Sequence, residues 1–159
     1  MDTRVMGCIY GDERKVTNMR IEVFSELPQE GKALREDVFM KEQGFSYDAD
    51  EWDAEAAHLV GYDEADTPVG VCRFYRDREE PTAFIIGRLA VAKDSRGTGK
   101  GADMLRAAED IIRVMGGEVT KLAAQLQAKE FYERLGYEVS GEPFDEDGTM
   151  HVWMKKVGM

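Results

Sequence analysis

Apolar residues along the chain change their spacing several times, and those changes predict the order of elements. Residues 19–24 alternate apolar and polar with period two, as a strand buried on one face does. Over residues 28–43 the period lengthens: Leu34, Val38 and Phe39 share a helical face, and Gly44 supplies a stop. The acidic residues 47–55 keep no period and read as a loop or a short helix. Residues 58–62 and 69–75 read as a strand pair around a turn-forming stretch at 63–68, and residues 83–92 as a third strand. Leu105, Ala108, Ile112 and Met115 then recur on one helical stripe that Gly116 and Gly117 end. Residues 119–124 read as a strand, residues 128–135 as a short helix stopped by Gly136, and residues 137–139 and 151–154 as closing strands. An antiparallel meander followed by β-α-β-α-β-β predicts a mixed α/β sheet, mostly antiparallel, with helices on its faces.

No repeat, low-complexity tract or linker divides the chain. Residues 17–159 therefore read as a single domain, and residues 1–16 as an N-terminal arm or tail, in one form a hairpin turning at Gly11-Asp12. Length changes this picture little, since 159 residues suit one domain with a sizeable core.

Charge changes it more. A formal net charge of −11 argues against a nucleic-acid-binding face. It also repels anions at long range, so a phosphate site would have to be built locally from backbone N–H groups and a few cations. Attraction of a cationic substrate and plain solubility are both open readings of the acidity. The first residues hold no apolar leader, and no apolar run is long enough to span a bilayer, so no membrane partner is expected. Cys8 and Cys72 are far apart and in no metal-binding spacing; they read as reduced thiols, which points to the cytoplasm, with Cys72 in a packing role.

Residues 86–102 carry the candidate chemistry. A strand runs into a loop with glycines at 97, 99 and 101, and the loop runs into a helix. The first N–H groups of a helix lack partners, and glycine lets backbone approach a phosphate, so this is an anion cradle. Lys93, Arg96 and Lys100 add positive charge to it. A Walker A loop does not fit, because Gly101-Ala102 follow Lys100 where that loop needs Ser or Thr. A dinucleotide fingerprint fits formally as Gly97-x-Gly99-x-x-Ala102. The preceding meander and the missing acidic residue at the end of the following strand speak against it. A plain turn explains one or two of the glycines, not three alternating with a cation.

Arg96-x-x-Gly99-x-Gly101 resembles the pyrophosphate loop of the GNAT N-acetyltransferase superfamily. Residues 131–137, Phe-Tyr-Glu-Arg-Leu-Gly-Tyr, resemble its second signature. Leu34-Arg35-x-x-Val38-Phe39-x-x-Glu42-Gln43, then Glu51-x-Asp53, His58, Ala124-Gln125 and Glu146-Asp147-Gly148-x-x-His151-x-x-Met154, are similar to the ElaA/YjcF-like branch. The branch usually has Pro where Met150 stands.

The resemblance implies an acetyl-CoA-dependent N-acetyltransferase with a splayed central strand pair. Leu89, Ala90 and Val91 would offer backbone to the pantetheine arm, and an N–H near Leu89 or Val91 would polarise the thioester carbonyl. Arg96, Gly97, Thr98, Gly99, Lys100, Gly101 and Ala102 would hold the pyrophosphate, with Gln125 and Ala128 beside the cofactor. Tyr132 would protonate the leaving thiolate: a phenol, with a reference pKa of about 10, carries its proton at neutral pH. His151 suits the base, imidazole titrating at about 6.5, and a strand-end structural histidine is the competing reading. Glu51 and Asp53 would relay a proton or hold the substrate ammonium, or else be solvated. Arg88 would grip a substrate carboxylate or pair with an acidic neighbour. His58 reads as structural, and an ion pair competes for Arg35 and Glu42.

The expected acceptor is a small-molecule primary amine; the oligomeric state is not readable from the sequence, and a homodimer is an open reading because such families often dimerise. A non-catalytic acyl-CoA-binding or sensor domain is the alternative, and a nucleotide-binding oxidoreductase the third reading. No metal is expected.

Overall fold

The computed structural model describes residues 5–10 and 19–158, the first of these by backbone. Among the described residues nine strands form one sheet in the order β1-β2-β3-β4-β5-β6-β9-β7, and β8 adds to β9 outside that path. They are β1 (Val5–Tyr10), β2 (Arg20–Phe24), β3 (Ala57–Tyr62), β4 (Pro68–Arg76), β5 (Ala83–Val91), β6 (Val119–Gln125), β7 (Glu138–Val139), β8 (Phe144–Glu146) and β9 (Thr149–Val157). The helices are α1 (Gln29–Arg35), α2 (Lys100–Val114) and α3 (Lys129–Arg134). The mixed, mostly antiparallel sheet is the expected class. β1 pairs antiparallel with β2, while the hairpin turn expected at Gly11-Asp12 lies outside the described residues.

Several boundaries differ from the sequence reading. The helix expected over residues 28–43 is α-helical only to Arg35, and Glu36–Glu42 continue as a π-helical segment. Its wider turn is visible where Gln43 N–H donates to Val38 O at 3.0 Å and Phe45 N–H to Phe39 O at 2.9 Å. β8 has no counterpart in the sequence reading, because three residues are too few to display a period. Met115, expected on the buried stripe of α2, is 49% exposed because the helix ends at Val114.

The sheet buries both faces. On one, α2 sets Met104, Leu105, Ala108 and Ile112 against Leu59, Cys72, Phe84, Ile86, Leu122 and Met154. Two strand glycines let α2 sit close: a Cβ at Gly61 would lie 3.0 Å from Met104 Sδ, and one at Gly70 3.2 Å from it. On the other face, α1 and the π-helical segment set Leu34 and Val38 on Phe24, Val60, Tyr62, Val71 and Ala90. Burial pushes the Cys72 thiol up to about 12, so it packs as a small apolar group. No helix among the described residues is long and apolar enough to cross a membrane.

Two departures from regular pairing position the site. β5 and β6 are parallel partners only from Ala83↔Val119 to Ile85↔Lys121, after which they part. This is the splay that the resemblance implied. Between the pairs Val71↔Ala90 and Arg73↔Gly87, three steps along β5 oppose two along β4. The extra residue is a bulge, and Arg88 within it has φ of +51°, a left-handed conformation that a non-glycine residue adopts at some cost.

Candidate active site

Strand alternation sends Arg73 and Tyr75 of β4, Ile85 and Gly87 of β5, Ala123 and Gln125 of β6, and His151 and Trp153 of β9 to the α1 side of the sheet. With Arg88 from the bulge, Phe39 and Phe45, residues 47, 48, 50 and 52 of the acidic stretch, and Phe144 and Glu146 of β8, they line a cavity of about 260 Å³. Its roof is the chain after the π-helical segment. Asp147 in the β8–β9 turn buckles that chain down, accepting from Ser46 N at 2.6 Å and Ser46 Oγ at 2.8 Å. Gln125 Nε2 donates to Gln43 Oε1 at 2.9 Å across the same rim.

Three arginines and three aspartates form an ion network at the floor, with Asp48, Asp50, Arg73 and Arg88 on the cavity wall and Arg35 and Asp53 behind it. Arg35, wholly buried, donates to Asp48 Oδ2 at 2.8 Å and to both oxygens of Asp53 at 2.9 and 3.0 Å. Arg73 donates to Asp53 Oδ1 at 2.8 Å and to Asp50 Oδ2 at 2.9 Å. Arg88 donates to Asp48 O at 2.7 Å and to Asp50 Oδ2 at 3.1 Å. Asp50 and Asp53 also fold their own segment, since Asp50 accepts from Trp52 N and Asp53 from Asp50 N, a reciprocal capping box. Burial works to raise the Asp53 pKa, but hydrogen bonds from Arg35 and Arg73 and their charges outweigh it and hold the carboxyl well below its usual range. Burial and neighbouring Arg73 lower the pKa of Arg88, while Asp50 and Glu146 pull it back.

His151 is 7% exposed and stands in register opposite Gln125. Its Nδ1 lies 2.9 Å from Thr149 O. A carbonyl only accepts, so Nδ1 carries the hydrogen and Nε2 keeps the lone pair of the neutral ring. Phe144 stacks on the imidazole at 5.7 Å and fixes its plane.

Tyr132 belongs to the opposite face, where it packs against the α2 core, with ring contacts to Phe131 at 5.0 Å and Tyr137 at 6.0 Å. Its hydroxyl makes no hydrogen bond among the described residues. Burial, helped by nearby Cys72, raises its pKa, so the phenol holds its proton at neutral pH.

The glycine loop lies beside the open end of the splay. Gly97 and Gly99 have φ of +84° and +86°, Gly99 is the N-cap of α2, and no side chain caps the helix. A Cβ at Gly97 would meet nothing within 4 Å, and one at Gly101 only ordinary contacts, at 3.5 Å with Phe131 and 3.6 Å with Val91. The fold itself thus leaves open space over the loop's backbone. Arg96 reaches Val91 O at 3.0 Å and Glu42 Oε1 at 2.7 Å, and Lys100 Nζ reaches Thr98 Oγ1 at 2.9 Å. Ala90 is buried and Leu89 packs on the core, so their side chains serve packing while the β5 edge facing β6 stays unpaired beyond Ile85. Ala128 is the N-cap of α3.

Of the expected substrate residues, Arg88 lines the cavity. Asp53 stands behind its floor, and Glu51 is exposed and off the wall. Arg35 and Glu42 pair with other partners, not with each other. His58 is buried, with Nε2 at 2.9 Å from Asp53 O, as a structural histidine is. Sequence reasoning missed Arg73, Asp50 and the aromatic wall. The period-two pattern of β4 signals that Arg73 and Tyr75 share a face; nothing local signals what faces them.

Comparisons with known proteins point one way. The family model described as acetyltransferase (GNAT) domain matches residues 24–157. The uncharacterized N-acetyltransferase YjcF of Bacillus subtilis is 35% identical over 126 residues, covering 77% of this chain and 87% of that protein. The crystal structure of Escherichia coli ElaA is 26% identical with a TM-score of 0.73, covering 87% of this chain and 99% of that one. An acyl-CoA N-acyltransferase structure from Pseudomonas aeruginosa is 25% identical with a TM-score of 0.68, covering 79% and 86%.

Proposed function

The chain belongs to the GNAT acetyltransferase family, in the ElaA/YjcF-like branch, and is an acyltransferase; from this premise we propose that it moves an acetyl group from acetyl-CoA to a primary amine of a small molecule by direct attack. One observation carries the reading: β5 and β6 part after Ile85 between a protonated phenol on one face and an imidazole-lined cavity on the other.

The pyrophosphate rests on the uncapped start of α2, where N–H groups and the helix dipole favour an anion, with Arg96 and Lys100 alongside. The pantetheine arm lies along the open edge of β5, exchanging backbone hydrogen bonds as an added strand would. A backbone N–H at Leu89 or Val91 takes up the charge that grows on the thioester oxygen. The amine waits in the cavity, and His151 Nε2 removes its proton as nitrogen attacks. The C–N bond forms and the C–S bond breaks. The thiolate takes the Tyr132 proton, and the products are the amide and free CoA.

Acetyl-CoA and CoA are expected to raise the melting temperature, by about 2.7 kcal/mol of native-state stabilisation at 100 times the dissociation constant. NAD and ATP should not. Gly99→Val should remove the shift, because the left-handed φ of +86° and the backbone approach both need glycine. A shift with NAD and none with CoA would overturn the cofactor assignment. Thiol release from acetyl-CoA across a panel of amines tests the reaction itself. Binding without release for any amine would favour a non-catalytic acyl-CoA sensor.

For the base, the fall of kcat/KM on the acid side should depend on the side chain at residue 151. His151→Ala should lose most activity at neutral pH and recover part of it at high pH, where the amine deprotonates in solution. An acid limb that survives His151→Ala would remove the histidine from the mechanism.

A further inference from the structure

The cavity holds one more charge than its own network uses. Arg35, Arg73 and Arg88 are matched by Asp48, Asp50 and Asp53, three against three, with each guanidinium in ion-pair contact with at least one of these carboxylates. Glu146 stands outside that set. It is half-buried and lines the cavity. Its carboxylate makes no hydrogen bond or ion pair among the described residues, and it acts on Arg88 only through space. Among the described residues, Glu146 is therefore the one cavity-lining carboxylate outside the ion network.

What surrounds that charge is aromatic. Phe144 and Trp153, Tyr75 and Trp52, and Phe39 and Phe45 supply most of the apolar wall. A carboxylate short of a partner, set among ring faces, attracts an ammonium by charge and by the negative π-face of the rings. A carboxylate-bearing ligand would meet two guanidiniums that already share Asp50, and the Arg73 Nε left without a hydrogen-bond partner among the described residues is buried.

Register gives the spacing. Phe144 pairs with His151, and Glu146 is two residues further along β8, on the same face. That puts it about 7 Å along the strand from the imidazole row. Resting on the acyl-transfer reading above, we propose that the acceptor carries a second, non-reacting cationic group, that Glu146 holds it, and that the substrate class is a diamine or longer polyamine rather than an amino acid.

The test compares linear α,ω-diaminoalkanes with monoamines of the same length and with α-amino acids, at saturating acetyl-CoA. The diamine should exceed its matched monoamine in kcat/KM by about 10- to 100-fold, the range of one charge-assisted contact. Glu146→Gln should abolish that preference, chiefly through KM, and Glu146→Asp should retain part of it. A retained CoA thermal shift in both variants shows that they fold. Turnover with equal use of diamine and monoamine, or a preference that survives Glu146→Gln, would overturn the inference and leave acyl transfer standing. If no amine is turned over, the acyl-transfer reading fails. Calorimetric binding of the diamine to the CoA complex, lost in Glu146→Gln or not, then decides the inference alone.

Discussion

Replacing Arg35 with methionine is expected to destabilise the protein by roughly 3–5 kcal/mol at neutral pH, enough to consume much of the stability of an ordinary domain, about 5–15 kcal/mol. The side chain is wholly buried and holds Asp48 and Asp53 at hydrogen-bond distance. Methionine fills similar volume, so the loss comes from carboxylates left without their cation rather than from a void. Removing one partner is the costly case; exchanging a whole buried set for apolar residues is often neutral.

The pH dependence follows from Asp53. Its folded pKa lies below the unfolded one. Its ionised form therefore stabilises the native state above the ordinary carboxylate range, about pH 4, and that contribution is lost as pH falls through the folded value. Without Arg35, burial gains weight and the pKa rises, so the variant's penalty shrinks on acidification. Urea unfolding of both proteins at pH 7 and at pH 4 or below reads this directly. A loss below about 1 kcal/mol, or a gap that widens in acid, would mean the cluster is not an interdependent ion network.

Tyr132→Phe is expected to lower kcat by about 10²- to 10⁴-fold, the usual contribution of a positioned acid. The variant keeps the ring and its contacts with Phe131 and Tyr137. The hydroxyl has no hydrogen-bond partner among the described residues, so stability and the CoA thermal shift should change little. A large kinetic effect without a structural one separates a proton donor from a packing residue. Single-turnover acetyl transfer is the measurement, because it isolates chemistry from product release. A full rate there would return Tyr132 to packing.

What the sequence revealed was local. The glycine loop could be read because its alternation and the helix after it lie within a few residues, and Gly97 and Gly99 do adopt the left-handed conformations that the loop needs. In the strand meander, β2 could be read from its period of two, and β3 and β4 from apolar runs on either side of a turn-forming stretch. The acidic stretch misled for the opposite reason. Its carboxylates look solvated in sequence, and only the approach of Arg35, 18 residues from Asp53, and of Arg73, 20 and 23 residues from Asp53 and Asp50, ties them into an ion network. The π-helical segment was hidden because Leu34, Val38 and Phe39 satisfy an α-helical stripe equally well. Glu146 was visible as part of a motif, but its lack of a partner is a property of the cavity.

The bulge in β5 has a consequence for how that strand tolerates length changes. Before it, Ile85 and Gly87 face the cavity while Phe84 and Ile86 face the α2 core; after it, Leu89 turns to the core and Ala90 to the α1 side. Odd and even positions thus exchange places at Arg88. Deleting one residue there would leave two steps on each strand, so Leu89 would still face the core, and Ala90 would still face the α1 side and pair with Val71. Deletion at residue 88 removes the bulge and the Arg88 contacts with Asp48 O and Asp50; deletion before it, between Phe84 and Ile86, inverts a frame. The strand should therefore accept the loss of one residue within the bulge far more readily than the loss of one ahead of it.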